Sequence, residues 1–331
     1  MLLPDEPKTK FSDKDSASST LVIVNPKSAA GSTELQWARI ASDLAKNFGA
    51  FKVEFTRKVG DGIELARKAA NDGQKFIIAC GGDGTINEVA NGILESGADV
   101  ELGILPSGTG GDFRRSLGIA STAIEAAKSL RDGVTKTIDV GKVTFLNHTG
   151  EKISRFFLNV SSLGLSASIN ERVKANGSMS WLPGAAFRGK AKFALSTLQE
   201  VLESEFTTIR VRLDEKDEKL LNTINFCVAN ARFFGGGMKI APEAKINDGF
   251  FDVVNIGDIR TAKILLNAYR LYSGSHLDLS EVNHIKAKRI EVCAANEKQD
   301  VYIETDGELP GKLPAVYEIV PQALKVRVPK Q

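Results

Sequence analysis

The chain has 331 residues, of which 42% are hydrophobic, so it is long enough to bury two cores. Its 43 basic and 41 acidic residues give a net charge of +2, which provides no general electrostatic attraction to nucleic acid. The three cysteines, Cys80, Cys227 and Cys293, lie far apart inside apolar runs and lack metal-ligand spacing. They predict buried thiols in a reducing compartment.

Residues 1–20 are polar and have no long apolar stretch, which argues against a signal peptide and predicts a disordered tail. Elsewhere, no apolar run approaches the roughly 18 residues needed to cross a bilayer. We therefore expect a cytoplasmic protein without a transmembrane segment, whose contact with the inner face of a membrane is peripheral.

Strands and helical patterns alternate through the first half of the chain. This alternation predicts βαβ units and a parallel sheet. In such sheets ligands bind beyond the carboxyl ends of the strands. The predicted strands cover residues 21–24, 51–55, 76–78 and 102–105, and helical patterns follow each of them.

A glycine-rich turn, Gly81-Gly82-Asp83-Gly84-Thr85, joins the strand at 76–78 to an apolar helix pattern. Backbone N–H groups in such a turn point outward at the positive end of a helix dipole, and glycines let a ligand approach closely. The turn therefore fits a phosphate site. It also fits a simple helix cap, because Thr85 and Glu88 have capping-box spacing.

A second glycine-rich loop follows the next strand, where residues 106–112 enter another helix with Asp112 as a predicted N-cap. Two such loops after successive strands favour a phosphate site over a turn alone. The sequence contains neither a Walker P-loop nor a dinucleotide fingerprint after the first strand.

From residue 135 onward most segments are typical of strands, which predicts an antiparallel sandwich or barrel. Helical patterns interrupt them at 165–202 and 261–272. The predicted fold is α/β plus all-β: a Rossmann-like parallel α/β domain over 21–140, then an antiparallel β-sandwich over 141–331 whose final strands can return to the first domain. The predicted strands are 137–145, 153–160, 207–213, 220–229, 250–256, 284–293, 300–305, 315–320 and 324–328.

Two short segments in the second half carry both structural and chemical interpretations. Asn247-Asp248-Gly249 fits a turn between strands, but an aspartate beside exposed carbonyls also suits Mg²⁺. Asp306-Gly307 is a strong hairpin signal, and its carboxylate could also act in chemistry. The residues alone leave both questions open.

Residues 81–88 resemble the nucleotide loop of the diacylglycerol kinase catalytic domain, which sphingosine and ceramide kinases share and NAD kinases share more distantly. Five loops match in order over roughly residues 21–329. Two positions depart from the family pattern: Ala29 replaces a usual glycine and Gly111 replaces an asparagine. The resemblance implies an ATP site formed by Asn25, Pro26, Lys27, Ser28, Thr56, Gly81, Gly82, Asp83, Gly84, Thr85, Ile86, Asn87, Glu88, Gly108 and Thr109.

The resemblance also implies a structural Mg²⁺ held by the carbonyls of Lys245 and Phe250 and the carboxylate of Asp248, linked through water to Asp83. It makes Asp306 the catalytic base that takes the proton of the substrate hydroxyl, with Asp83 as a second catalytic residue. A carboxylate in that role fits phosphoryl transfer, which depends chiefly on positioning and charge neutralisation.

The resemblance therefore predicts an ATP-dependent lipid kinase, with diacylglycerol as the first acceptor and phosphatidic acid as product. A sphingoid-base or ceramide kinase, an NAD-kinase-like enzyme with a soluble acceptor and a non-catalytic nucleotide or lipid sensor remain alternatives. A homodimer is also left open. The basic, aromatic-containing segment 171–193 fits either a membrane-surface helix or a solvated face over a core.

Overall fold

The structure is a computed structural model in which residues 20–108, 110–168 and 206–330 are described. Most of the predicted tail, Thr109 and the segment 171–193 lie outside the described residues. The described chain forms an α/β unit followed by a β-rich unit, which confirms the predicted fold class.

Four parallel strands form the sheet of the first unit, in the order β2-β1-β3-β4. The central strand β3 is buried along its whole length, as expected for a sheet covered on both faces. The strands are β1 (Thr20–Val24), β2 (Lys52–Phe55), β3 (Phe76–Gly81) and β4 (Glu101–Pro106), and the helices are α1 (Ser32–Asn47), α2 (Asp61–Asn71), α3 (Asp83–Ser96), α4 (Asp112–Ser116) and α5 (Ala123–Asp132).

The second unit is built almost entirely of antiparallel pairs. Within residues 206–330 two short α-helices interrupt it, α6 (Thr261–Asn267) and α7 (Arg270–Ser273). Its strands are β5 (Val134–Leu146), β6 (Lys152–Phe157), β7 (Val160–Gly164), β8 (Thr207–Leu213), β9 (Lys219–Thr223), β10 (Asn225–Ala229), β11 (Phe251–Ile256), β12 (Val282–Ala287), β13 (Arg289–Ala294), β14 (Tyr302–Thr305) and β15 (Glu308–Val328).

Strands β5 and β15 join the two units. They pair with each other over most of their length, and each contributes to both hydrophobic cores. Ile138 and Val140 of β5 pack in the first core, whereas Val143 packs in the second. The end of β15 lies parallel to β4, with Lys325 opposite Glu101, and buries Leu324 and Val326 in the first core.

Several predicted strand boundaries are wrong. The predicted strands 153–160, 220–229 and 284–293 are each two strands, divided at 158–159, at Ile224 and at Lys288. Conversely, the predicted strands 315–320 and 324–328 belong to one strand, β15, with a register shift between Val320 and Leu324. At each of the three divisions one or two residues separate the strands, and β-type residues resume at once, so the local composition does not distinguish a break from a continuous strand.

Candidate active site

The central turn connects β3 to α3, and Gly82 is the N-cap of the helix. The second glycine-rich loop lies directly against it: the N–H of Ser107 donates to the carbonyl of Gly81 at 2.9 Å. A Cβ on Gly108 would lie only 2.7 Å from the Cα of Gly82, so no larger residue fits at Gly108 without moving backbone. The two loops thus form one surface at the carboxyl ends of β3 and β4.

Residues of the first loop, after β1, are tied to the same surface. The Asn25 side-chain amide donates to the hydroxyl of Thr85 at 3.0 Å, and the Asn25 N–H donates to Cys80 O at 3.0 Å. The hydroxyl of Thr33 contacts those of Ser28 and Ser107. The structure therefore brings together the predicted nucleotide residues of three loops, including Pro26 and Lys27 between Asn25 and Ser28.

Ala29, which replaces the usual glycine, lies in a left-handed conformation with φ 52° and ψ 41°. Ala30 follows in the same region with φ 56°. Glycine adopts this conformation freely, whereas a Cβ makes it unfavourable. At this departure from the family pattern the loop therefore carries local backbone strain.

Glu88 does not form the capping box with Thr85, so that interpretation is wrong. Its carboxylate accepts hydrogen bonds from the N–H groups of Gly60 and Gly62, both at 2.9 Å. A Cβ on Gly62 would lie 2.6 Å from a carboxylate oxygen of Glu88. Glu88 therefore holds the loop after Thr56, which is buried at the end of β2.

Asp83 is held by the start of α4. Its carboxylate accepts hydrogen bonds from the N–H groups of Gly111 at 2.7 Å, Asp112 at 3.2 Å and Phe113 at 3.3 Å. These are the N–H groups that a helix leaves without intrahelical partners. Asp83 thus caps α4 from the neighbouring loop, whereas Asp112, the predicted N-cap, is the first residue of the helix after Gly111.

Asp112 connects α4 to the second unit. Its carboxylate accepts from the N–H of Gly236 and from the guanidinium of Arg115, both at 2.7 Å. Burial and the neighbouring Asp83 raise the pKa of Asp112, although its two donors act in the opposite direction. Gly111, at φ +73°, has the Arg114 guanidinium where a Cβ would stand, so Arg114 fills space that the family asparagine would need.

Asp306 lies at the two-residue turn between β14 and β15, with φ 47° followed by Gly307 at φ 89°. This conformation confirms the predicted Asp-Gly hairpin. The Asp306 carboxylate accepts from three successive N–H groups, those of Leu158 at 2.7 Å, Asn159 at 2.9 Å and Val160 at 3.2 Å. It also accepts from the side-chain amide of Asn87 at 2.8 Å, which brings α3 of the first unit to Asp306.

The protonation of Asp306 reflects two opposing effects. Burial raises the pKa of the carboxyl to about 6, although the hydrogen bonds from residues 158–160 and Asn87 favour the ionised form. A carboxylate with a pKa near neutrality is suited to accept a proton from a hydroxyl at physiological pH.

Asn91, one helical turn after Asn87, fixes the position of Asn87. Its amide donates to the Asn87 carbonyl at 2.9 Å and side-chain oxygen at 3.1 Å, and it exchanges hydrogen bonds with the backbone of Phe156. Asn91 was not predicted from sequence. Its amide on the buried face of an otherwise apolar helix could have indicated a residue with a specific hydrogen-bonding role.

The turn that carries the predicted metal residues is held by Asp139, a second residue that the sequence analysis missed. The fully buried Asp139 carboxylate accepts from the N–H of Gly249 at 2.7 Å and of Gln322 at 2.8 Å, and its own N–H donates to Ile246 O at 2.7 Å. An aspartate inside an apolar strand could have indicated this role. Asp139 joins β5, the 246–249 turn and β15.

Asp248 lies beside a basic side chain. One carboxylate oxygen accepts from Lys286 Nζ at 2.7 Å, and the other accepts from the N–H of Phe250 at 3.2 Å. A carboxylate and nearby carbonyls, as Lys245 and Phe250 would supply, are the hard oxygen donors that Mg²⁺ prefers. The residues fit a site at the second oxygen. No group of three His, Cys, Asp or Glu suited to a metal occurs in the described ranges, so such a site would depend on one carboxylate.

Some predicted residues are not brought together. Asp83 and Asp248 share no hydrogen-bond partner among the described residues. The side chain of Ile86 is buried in the first core, so only its backbone is available to a nucleotide. Two histidines outside the candidate site are partnered: His276 is buried against Ile240 O, and His284 contacts Asp252.

Comparison with known proteins extends over both units. Residues 19–143 match the diacylglycerol kinase catalytic domain, and residues 159–328 match the YegS C-terminal NAD kinase beta sandwich-like domain. The chain belongs to the diacylglycerol kinase catalytic-domain family. It is thus related to kinases.

Individual relatives of this kinase-family chain match almost end to end. A diacylglycerol kinase of Mycobacterium tuberculosis is 28% identical over 310 residues, covering 93% of this chain and 94% of the relative. One of Bacillus subtilis is 27% identical, covering 94% and 96%. A Bacillus anthracis protein solved as a candidate diacylglycerol kinase superposes with a TM-score of 0.72 at 26% identity, covering 94% of this chain and 97% of that one. No helix among the described residues is long and apolar enough to span a membrane.

Proposed function

We propose that this protein is an ATP-dependent lipid kinase that transfers the γ-phosphate of ATP to a lipid hydroxyl, with diacylglycerol as acceptor and phosphatidic acid as product. The observation that carries the proposal is the placement of Asp306. Its carboxylate lies at the junction of the two units, bonded to Asn87 of the glycine-loop helix, with a pKa raised to about 6 by burial.

ATP would bind across the carboxyl ends of β1, β2, β3 and β4. The N–H groups of the central turn, from Gly82 to Thr85, lie at the N-terminus of α3, where the helix dipole favours phosphate. The contacting loops carrying Asn25 and Gly108 would enclose the nucleotide on either side. Within this arrangement Asp83 and Glu88 act as positioning residues, because their carboxylates hold α4 and the Gly60–Gly62 loop.

Asp306 would act as the base. The lipid hydroxyl would take the hydrogen-bonding position of Asn87 on the carboxylate, while the Asn87 amide keeps its contact with Phe156 O at 3.2 Å. As the hydroxyl oxygen attacks the γ-phosphorus and the bond to the β–γ bridging oxygen breaks, the proton passes to Asp306 and ADP leaves.

Magnesium would supply positive charge that stabilises the turn and the phosphates. Asp248, with the carbonyls of Lys245 and Phe250, would hold the structural ion. Asp139 would keep this turn in place through Gly249.

The acceptor is the finer part of the proposal. A sphingoid base or ceramide would present a similar hydroxyl, and the match of the second unit to an NAD kinase-like sandwich keeps a soluble acceptor as the second candidate. We expect a lipid because the curated relatives that match along the whole chain are named diacylglycerol kinases.

The test is transfer of label from [γ-³²P]ATP with Mg²⁺ to diacylglycerol, ceramide, sphingosine and NAD, with products separated by solvent partition. Label in phosphatidic acid supports the proposal, label in another lipid changes the acceptor, and label only in NADP favours the second candidate. Asp306→Asn should abolish transfer while ATP binding persists. Asp300→Asn, which changes an exposed carboxylate that pairs with Lys312 at 2.7 Å, is the matched control and should retain activity.

A further inference from the structure

The segment from α6 through α7 exposes large apolar side chains to solvent. Leu266 is 74% exposed, Tyr269 65%, Tyr272 57% and Leu265 43%. Single exposed apolar residues are common, but a contiguous exposed apolar surface in a folded protein marks an interaction site. Together with the exposed Ala262, these four residues define what we term the α6–α7 face.

These residues lie on one side of a nearly continuous helix. Ala268 and Tyr269, between α6 and α7, keep right-handed helical dihedral angles. At about 100° per residue, positions 262, 265, 266, 269 and 272 fall within roughly 120° of one another around the axis. Leu271, on the opposite side, packs against a small third hydrophobic cluster that includes Ile240 and Val254. The segment is therefore apolar on both sides, and only one side is covered by the described residues.

The charges beside the face are basic. Arg260, Lys263 and Arg270 lie on this segment, and no acidic residue occurs between Asp258 and Asp278. Arg260 is exposed, whereas Lys263 pairs with Glu281. Around the helix axis Arg270 and Lys263 fall about 40° and 60° beyond Leu266 and so border one edge of the face, whereas Arg260 precedes the helix in extended backbone. A helical face of Leu and Tyr with such a basic edge fits the interface of an anionic bilayer, where apolar residues enter the acyl boundary and basic residues meet lipid phosphates.

A second copy of the chain is a poorer occupant. In a two-fold dimer the α6–α7 face would meet itself, which would place Arg260, Lys263 and Arg270 near their own copies. Lys263 is already neutralised by Glu281, but Arg260 and Arg270 have no acidic side chain within the segment to neutralise them. Charge complementarity thus favours an anionic surface over self-association.

The face is joined to the candidate active site through one loop. The N–H of Lys239 donates to Leu271 O at 2.6 Å, and His276 contacts Ile240 O at 3.0 Å. The preceding residues 233–238 include Gly236, whose N–H donates to Asp112 beside Asp83. A membrane bound to the α6–α7 face would therefore contact the helical segment that supports this loop.

We propose that the α6–α7 face docks the protein onto the surface of an anionic phospholipid bilayer. This inference rests on the proposed function, since it names the surface from which that active site would draw its lipid acceptor.

The test is binding of the full chain to sedimenting vesicles of phosphatidylglycerol and phosphatidylcholine, without nucleotide or acceptor. The double variant Leu266→Gln, Tyr269→Gln should bind the vesicles at least about tenfold more weakly, because it lacks two apolar side chains that would enter the bilayer. Arg260→Gln should reduce binding about fivefold on anionic vesicles and leave binding to pure phosphatidylcholine unchanged. Leu220→Gln is the matched control, since Leu220 is 67% exposed on β9, and it should bind like the unmodified protein.

Vesicle binding is measured separately from catalysis, so the two proposals can fail independently. Binding that is lost in the double variant supports docking even if no label transfer is found. Transfer to a dispersed short-chain diacylglycerol, with no binding to anionic vesicles, overturns docking and leaves the kinase proposal intact. Equal vesicle binding by the double variant and the unmodified protein also overturns docking. So does a protein that binds no vesicles, is a dimer in light scattering and becomes a monomer in the double variant.

Discussion

The carboxyl group of Asp306 accepts hydrogen bonds from three backbone N–H groups and one amide, yet burial raises its pKa to about 6. In the proposed mechanism the ionised form accepts the proton. We therefore expect kcat/KM to rise with pH through about 6 and then level off. Initial rates between pH 4.5 and 8, at saturating ATP and subsaturating lipid, would check this, and a rate that stays constant down to pH 4.5 would contradict it.

The same shift has a consequence for stability. Since the folded-state pKa lies above the ordinary value of 3.8, folded Asp306 holds a proton that the unfolded chain releases between about pH 4 and 6. Its contribution to stability is therefore present below pH 4 and lost as the pH rises through 6. Thermal unfolding from pH 4 to 7 should show this decline in the unmodified protein and a smaller decline in Asp306→Asn. If the two proteins lost stability equally over this pH range, the decline would come from the titration of a group other than Asp306.

Ala29 offers a direct test of backbone strain. The left-handed conformation costs a residue with a Cβ roughly 1–2 kcal/mol, which glycine avoids. Glycine also makes the unfolded chain more flexible, and this offsets about half of the gain in stability. Ala29→Gly should therefore raise the free energy of unfolding by about 0.5 kcal/mol. Ala45→Gly, at an exposed position inside α1, should lower it by about 1 kcal/mol. Urea denaturation compares the two, and losses of equal size would show that the strain at Ala29 is absent.

At the scale of secondary-structure elements, α3 organises its neighbours through side chains on successive turns. Asp83 caps α4, Asn87 reaches Asp306, Glu88 holds the loop before α2, and Asn91 bonds to β6 at Phe156. A single helix thus sets the relative positions of two of the predicted nucleotide loops and the proposed base.

Glu88→Gln tests this role. The amide nitrogen would face a backbone N–H group, so one hydrogen bond to Gly60 or Gly62 would be lost. We expect a loss of about 1–3 kcal/mol in stability and a higher KM for ATP, with kcat little changed. Glu64→Gln, which alters an exposed pair with Arg67, should change stability by less than about 0.5 kcal/mol. An unchanged KM for ATP in Glu88→Gln would remove Glu88 from loop positioning.

At the scale of the whole molecule, β15 makes the two units interdependent. Its first part pairs with β13 and β14 in the second unit, whereas Leu324 and Val326 complete the core of the first. Leu324→Ala should therefore destabilise the first core by about 2–5 kcal/mol, although the residue belongs to the last strand of the second unit. Leu220→Ala, on an exposed position, should cost less than about 0.5 kcal/mol. Denaturation followed by circular dichroism would compare them, and similar costs would contradict the packing of Leu324.

The parts of this molecule that sequence could predict are those encoded locally. The alternation of strands and helices predicted the fold class. The Asp306-Gly307 pair predicted a hairpin, because the turn depends only on the backbone conformations that these two residues favour. The partners of Glu88, Asn91 and Asp139 could not be predicted, since each bonds to backbone far away in sequence. The break at Ile224 was missed because an apolar residue turns the chain there without glycine or proline.

The pairing of β15 with β4 also determines how the chain can fold during synthesis. Arg327 and Glu101, whose side chains bond across this pair, are 226 residues apart. A ribosome therefore completes β1 to β4 long before β15 exists, and the edge of β4 stays open during that time. Long-range pairing of this kind slows folding and exposes apolar surface. A fragment that ends near residue 140 would keep the predicted nucleotide loops but lack the strand that closes its sheet, and would be prone to aggregate.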